Sequence, residues 1–231
     1  MTDDIYHKLT KDDIEHFMDN DIYLPTRTIW VGSNSSDEEG ESGVDYVMAE
    51  RTVKVLHILD NYDTGSRSGE KPIHIMTNNI GGDPVHGMAI YDAIEGCKNH
   101  VTIKVYGHSM SMGSIILQAA DKRTMTRNSK IMIHYGEFGV SGHAKTGYQW
   151  VNENKQYDEW MEDLFLEKIG DRTITLEKYL TMVGKKDEVP KGNSRNKLIG
   201  IDRKRLKTML DFDTIIYAKT ALELNLIDEI I

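Results

Sequence analysis

Three short apolar segments between residues 72 and 136 constrain the fold of this chain most strongly, because each runs into glycine and helical stretches separate them. The segments read PIHIMTN (72–78), VTIKVYG (101–107) and KIMIHYG (130–136), and PVHGMAIYDAIEGC, between the first two, has helical spacing of apolar residues. Strands that alternate with helices pair in parallel through right-handed crossovers. We therefore predict an α/β fold with a largely parallel sheet, whose ligands bind at the carboxyl ends of the strands.

The rest of the chain carries weaker patterns. Residues 1–20 are charged with a loose helical rhythm and predict an arm or a short helix, whereas residues 34–43 predict a solvated acidic loop. Further predicted elements are a strand at 28–32, helices at 44–59, 147–169, 176–182 and 217–224, and a basic loop at 183–200.

Composition excludes several classes of protein. The net charge of −9 argues against nucleic acid as the main partner, because phosphate contacts need a basic face. The single cysteine, Cys97, cannot form an internal disulfide and fits a reducing compartment. The start of the chain does not have the pattern of a signal peptide, and no apolar run approaches the length of a membrane span. We therefore expect a cytoplasmic protein that does not bind membranes.

Ser111 lies where the second of these strands turns into an apolar helix, in YGHSMSMGSIILQAA. At a helix N-terminus the first N–H groups are unpaired and the helix dipole favours negative charge. If Ser111 attacked a carbonyl, the N–H of Met112 could therefore donate to the oxyanion. Serine is also among the commonest helix N-caps, so a purely structural role stays open.

A nucleophilic serine needs a base and an orienting carboxylate. His134 ends the next strand and would lie near Ser111, although a buried, hydrogen-bonded histidine without a catalytic role is the alternative. Gly81 and Gly82 mark either a strand-ending turn or a close backbone approach that supplies a second oxyanion donor. The carboxylate is not fixed by spacing, since Asp211 and Asp213 are both candidates and each could instead cap the final helix.

These segments resemble the proteolytic subunit of the Clp protease family, ClpP, a serine peptidase that encloses its own active sites. That family shows Asn-Ser-Pro-Gly-Gly, Gly-x-Ala-Ala-Ser-Met-Gly, Met-Ile-His-Gln-Pro and a final Asp segment leading to Gly-Leu-Ile-Asp. Here the corresponding segments, in the same order, read NNIGG (78–82), GHSMSMG (107–113), MIHYG (132–136) and DTIIYAKTALELNLID (213–228).

The resemblance implies a role for individual residues. Ser111 corresponds to the nucleophile, His134 to the general base and Asp213, rather than Asp211, to the acid that orients the imidazole. Gly82 and Met112 correspond to the two oxyanion donors.

The sequence also departs from the family pattern, and the departures concern the shape of the substrate subsites more than the triad. Ser109-Met110 replaces Ala-Ala before the serine, proline is absent from NNIGG, and Tyr135-Gly136 replaces Gln-Pro after the histidine. Phe212 stands where the family usually has an arginine that bridges two rings, so we expect that salt bridge to be absent. Such divergence resembles a phage or organellar relative.

The resemblance further implies a crotonase-like spiral of ββα units with a protruding helix-strand handle. The predicted domains are an N-terminal arm at 1–20 and a peptidase domain at 21–231, with the handle at about 140–182 and an extra loop at about 183–200. The implied assembly is a homo-oligomer of heptameric rings, one or two of them stacked. Its substrate would be unfolded polypeptide, fed by a separate AAA+ unfoldase, since this chain has no phosphate-binding loop. We expect no cofactor and no metal, because the histidines show no ligand spacing.

Three other functions remain open at this stage. The same fold could serve a phage capsid (prohead) maturation protease, which would need no unfoldase. A crotonase-like acyl-CoA enzyme would share the fold and the oxyanion hole without a nucleophilic serine. A ring subunit that only scaffolds active partners is the last alternative.

Overall fold

The computed structural model describes residues 10–32, 43–61, 71–137, 139 and 141–231. The strands are β1 (Ile22–Tyr23), β2 (Thr28–Gly32), β3 (Ile73–Asn79), β4 (Val101–Met110), β5 (Lys122–Met125), β6 (Lys130–Ile133), β7 (Thr173–Thr175), β8 (Leu198–Gly200), β9 (Thr214–Tyr217) and β10 (Glu229–Ile230). The helices are α1 (Lys11–Asn20), α2 (Tyr46–Asn61), α3 (Pro84–Glu95), α4 (Met112–Gln118), α5 (Ala144–Ile169), α6 (Leu176–Met182), α7 (Arg203–Leu210) and α8 (Ala218–Glu223).

Within the described residues the main sheet has eight strands, and its centre is parallel as predicted. Strands β2, β3, β4 and β5 pair in parallel in that order, with the short β1 and β10 at the two edges. Strand β3 alternates between fully buried and half-buried residues, which is the pattern of a strand with one face in the core. The predicted α/β class is thus confirmed.

Strand β4 pairs along one edge with two different strands, and this change of partner decides which strand end lies beside Ser111. Its first half, residues 102–105, pairs with β5, whereas residues 108–110 pair with β6. Between the halves Gly107 has φ of 72°, and a Cβ at this position would lie 2.8 Å from the side-chain oxygen of Asn78. The chain can therefore bend here only because residue 107 is glycine. The end of β6 thereby comes to lie beside the end of β4.

The core lies between the sheet and helices α2, α3 and α4, and α3 packs against both α2 and α4. Ile73, Ile75 and Ile103 from the central strands and Leu117 from α4 are almost completely buried. A partly buried ion pair links the end of the chain to this core, because both carboxylate oxygens of Asp228 accept hydrogen bonds from the Arg123 guanidinium, at 2.7 and 3.0 Å.

Several elements differ from the sequence predictions. The loop predicted at 183–200 contains strand β8, which pairs antiparallel with β7. Strands β5 and β9 were not predicted, since each has only four residues and no clear alternation to distinguish it from a loop. The interpretation of Asp211 as the N-cap of the final helix is wrong. Asp211 instead ends α7, and its N–H donates to the carbonyl of Lys207.

Other predictions are only partly covered by the structure. Residues 1–9 of the predicted arm and residues 34–42 of the acidic loop lie outside the described residues, whereas α1 occupies the second half of the arm. The segment predicted as the handle, 140–182, contains α5, β7 and α6 over its described part. In the ranges that the structure describes, no helix is both long and apolar enough to cross a membrane.

Candidate active site

Ser111 lies at the junction of β4 and α4, with a backbone conformation that is unusual for any residue except glycine. Its φ is 49° and its ψ is −123°, and no hydrogen bond runs from its side chain to the start of α4. The side chain therefore does not act as the N-cap that a serine at this position suggested. A non-glycine residue in this region carries strain of about 1–3 kcal/mol, which is common where a side chain must be presented at a site.

Strand register brings the other two predicted residues to Ser111. The Ser111 N–H donates to the carbonyl of Met132 at 2.8 Å, which extends the β4–β6 pairing by one step. His134 follows the end of β6 directly. On its other side β6 pairs antiparallel with β9, with Ile133 opposite Thr214. The residues that follow Ile133 and precede Thr214, His134 and Asp213, are therefore neighbours.

The three side chains form a continuous hydrogen-bonded line. His134 Nε2 lies 2.8 Å from Ser111 Oγ, and His134 Nδ1 lies 2.8 Å from Asp213 Oδ1. A carboxylate only accepts hydrogen bonds, so Nδ1 carries the ring proton in this arrangement and its N–H donates a hydrogen bond to Asp213. The serine hydroxyl donates a hydrogen bond to Nε2. The His134 side chain is 22% exposed and that of Asp213 is 75% exposed. The hydrogen-bonded line thus runs from the partly buried His134 to the exposed Asp213 at the surface.

Gly81 and Gly82 bring backbone close to Ser111. A Cβ on Gly81 would lie 2.5 Å from Ser111 Cβ and 3.0 Å from the Met112 nitrogen. The Gly81 N–H donates to the side chain of Asn79 at 2.7 Å, and its carbonyl accepts from the Val44 N–H at 2.6 Å. The contact between Gly81 and the serine was not predicted from the sequence, because the double glycine gave no indication of which residue it faces.

Gly82 and Met112 were predicted as oxyanion donors. The bridge between Gly82 and Val44 is made by the neighbouring groups, the Gly81 carbonyl and the Asp83 N–H, so the Gly82 N–H is not used in it. The Met112 N–H belongs to the first residue of α4, where intrahelical partners are missing. Among the described residues neither amide is therefore engaged in these backbone contacts, and their role as oxyanion donors stays a prediction.

A cavity of about 700 Å³ lies between the start of α3 and helix α5. Val85, Met88 and Trp150 give it apolar walls, and Tyr157 lines it while donating a hydrogen bond to the sulfur of Met112 at 3.3 Å. The lining also includes three carboxylates, from Asp83, Glu137 and Glu153. The cavity can accept an amphipathic side chain.

One carboxyl near the site has a clearly altered acidity. Burial, together with the neighbouring Glu162 carboxylate, raises the pKa of Asp158 to about 6. Its Oδ2 accepts from the amide of Asn154 at 3.2 Å, whereas no donor among the described residues reaches its Oδ1. Sequence reasoning missed this group, because nothing in a helical WVNENKQYDEW stretch distinguishes it from its exposed acidic neighbours.

Comparison with known proteins identifies the family of this chain. The Clp protease family matches residues 40–183, which include Ser111 and His134 but not Asp213. The ATP-dependent Clp protease proteolytic subunit of Deinococcus radiodurans is 37% identical over 129 residues, which are 54% of this chain and 56% of that protein. The chain belongs to the Clp protease family. It spans little more than half the length of this curated relative.

Proposed function

We propose that this protein is a serine endopeptidase of the Clp type that hydrolyses unfolded polypeptides. The observation that carries the proposal is the line of two 2.8 Å hydrogen bonds joining Ser111, His134 and Asp213 in a member of this family. A serine that only shaped the turn would not need an imidazole on its hydroxyl. The same contact disfavours a crotonase-like acyl-CoA enzyme, which uses no nucleophilic serine.

The chemistry follows from the direction of these hydrogen bonds. Ser111 Oγ attacks the scissile carbonyl while His134 Nε2 takes the hydroxyl proton, and the imidazolium then protonates the leaving amine. Asp213 holds Nδ1–H in place and stabilises the imidazolium charge. A water molecule, deprotonated by His134, releases the acyl group in the second half of the reaction.

The Gly82 and Met112 N–H groups would stabilise the oxyanion of the tetrahedral intermediate. Loss of one such donor costs about 10²–10³-fold in rate in other serine peptidases. Because both are backbone groups, this contribution depends on the position of the chain at residues 81–82 and 111–112 and on no side chain.

Exposed apolar side chains support the proposed ring assembly. Tyr148, Trp150 and Val151 on α5 are each about half exposed or more, and Ile215 and Tyr217 are exposed on β9. Clustered exposed apolar side chains are typical of interfaces between subunits. We infer homo-oligomeric rings in the cytoplasm, supplied with substrate by a separate AAA+ unfoldase, as the family resemblance implies.

The test is hydrolysis of a short fluorogenic peptide together with labelling by a serine-directed phosphonate. Ser111→Ala should abolish labelling and reduce turnover on the order of 10⁶-fold, as loss of the serine does in other triads. Ser194→Ala, which removes an exposed hydroxyl in the 183–200 segment, should behave as wild type. Equal labelling of wild type and Ser111→Ala would refute the proposed nucleophile. A mass measurement in solution tests the rings, and a monomer would contradict them.

A further inference from the structure

Glu162, in the middle of α5, is a buried carboxylate whose two oxygens are both hydrogen-bonded. Glu162 is only 2% exposed. Oε1 accepts from the Tyr135 hydroxyl at 2.7 Å and lies 3.3 Å from the Lys207 ammonium, and Oε2 accepts from Arg203 at 2.8 Å. Burial by itself raises the pKa of this carboxyl, but the three donors outweigh burial and hold the pKa below its ordinary value. Glu162 is therefore ionised within a compact charged cluster.

Each donor of this cluster belongs to a segment that carries a member of the proposed triad. Tyr135 directly follows His134, and its N–H donates to the carbonyl of Leu210 at 2.9 Å. Arg203 and Lys207 lie on α7, which ends at Leu210, three residues before Asp213. Glu162 thus links the segment that carries His134 to helix α7, which leads to Asp213.

Asp213 needs such an external support. Its side chain is 75% exposed, so packing around the carboxylate itself does not fix its position. The turn that carries it is held by Thr214, whose hydroxyl donates to the carbonyl of Met209, again on α7. A shift of α7 would consequently move Asp213 relative to His134.

We propose that Glu162 is a positioning residue, which sets the register between His134 and Asp213 by holding Tyr135 and α7 against α5. The proposal rests on the proposed peptidase function. One departure from the family pattern takes part in this cluster, since Tyr135 stands where the family motif has glutamine and its hydroxyl donates to Glu162.

The experiment compares Glu162→Gln with Asp163→Asn. Asp163 is the adjacent residue on α5 and also binds Arg203, but its carboxylate is exposed, and neither Tyr135 nor Lys207 is among its hydrogen-bond or ion-pair partners. Turnover is expressed per active site labelled by the phosphonate, so that unfolded molecules are not counted. Glu162→Gln should lower kcat per labelled site about 10- to 100-fold, the effect of a small displacement of catalytic groups, while KM stays within about twofold. Asp163→Asn should retain wild-type kcat.

Tyr135→Phe keeps the aromatic ring and removes only the hydroxyl, so it tests the proposal even if Glu162→Gln does not fold. It should lower kcat per labelled site about 3- to 10-fold, and the double variant should be no worse than Glu162→Gln, because both changes weaken the same cluster around Glu162. Wild-type turnover per labelled site in folded Glu162→Gln, or in Tyr135→Phe, would overturn the positioning role. If wild type itself is neither labelled nor active, the peptidase proposal fails instead.

Discussion

Replacement of Gly81 by alanine would place a methyl group against the proposed nucleophile. The new Cβ would lie 2.5 Å from Ser111 Cβ, 2.7 Å from the Met110 carbonyl oxygen and 3.0 Å from the Met112 nitrogen. Ordinary contacts begin at 3.4 Å, so Ser111 must move away by roughly 1 Å. Gly81 itself cannot easily retreat, because its N–H and its carbonyl are both hydrogen-bonded, at 2.7 and 2.6 Å.

A displacement of this size should impair catalysis far more than stability. Misplacement of catalytic groups by about 1 Å can cost about 10²-fold in rate, which corresponds to about 2.7 kcal/mol of activation free energy. The backbone at residue 81, with φ of 98°, adds strain of about 1–2 kcal/mol once a Cβ is present. We therefore expect kcat/KM for a fluorogenic peptide to fall about 100-fold or more, with Tm lowered by only a few degrees.

Gly200→Ala is the matched control. Nothing lies within 4 Å of a Cβ at that position, and its backbone φ is not in the region that favours glycine. It should keep wild-type kcat/KM and Tm. If Gly81→Ala folds and retains more than about a tenth of wild-type kcat/KM, the close contact between Gly81 and the serine does not matter for catalysis, and the reasoning is refuted.

Three further variants test the hydrogen-bonded line of Ser111, His134 and Asp213 and the residues around it. Asp213→Asn should lower kcat on the order of 10⁴-fold, as in other triads, because an amide cannot hold His134 in the required tautomer. Asp211→Asn should stay near wild type, and a reversed result would assign the carboxylate to Asp211. Asp158→Asn should raise the free energy of unfolding at pH 7. The pKa of Asp158 rises from an ordinary 3.8 to about 6 on folding, so its contribution to stability is lost as the pH increases between these values. The full difference corresponds to about 3 kcal/mol, which solvent screening at this partly exposed carboxyl reduces to about 1 kcal/mol. Thermal melts at pH 4 and pH 7 measure the effect, and an unchanged difference between wild type and Asp158→Asn at the two pH values would contradict it.

The amino-acid sequence by itself determined the parallel centre of the sheet and supplied candidates for the functional site. Periodicity and glycine punctuation are local properties, so they predicted β3, β4, β6, α3 and the long α5 with small errors at the ends. Spacing and residue type favoured Ser111 and His134 as partners, because consecutive parallel strands end at the same rim, but they left a structural role open for each residue. The choice of Asp213 over Asp211 came from the family resemblance.

Only the tertiary structure decided how these residues are held. The bend in β4 at Gly107, the antiparallel pairing of β6 with β9 and the contact of Gly81 with Ser111 depend on atoms far apart in the chain. The environment of Glu162 also depends on distant segments. In the sequence it is one of several acidic residues on an amphipathic helix, and only the folded structure buries it between Tyr135 and α7. Such contacts leave no local pattern, because their energy arises from burial and close approach between segments that the sequence separates.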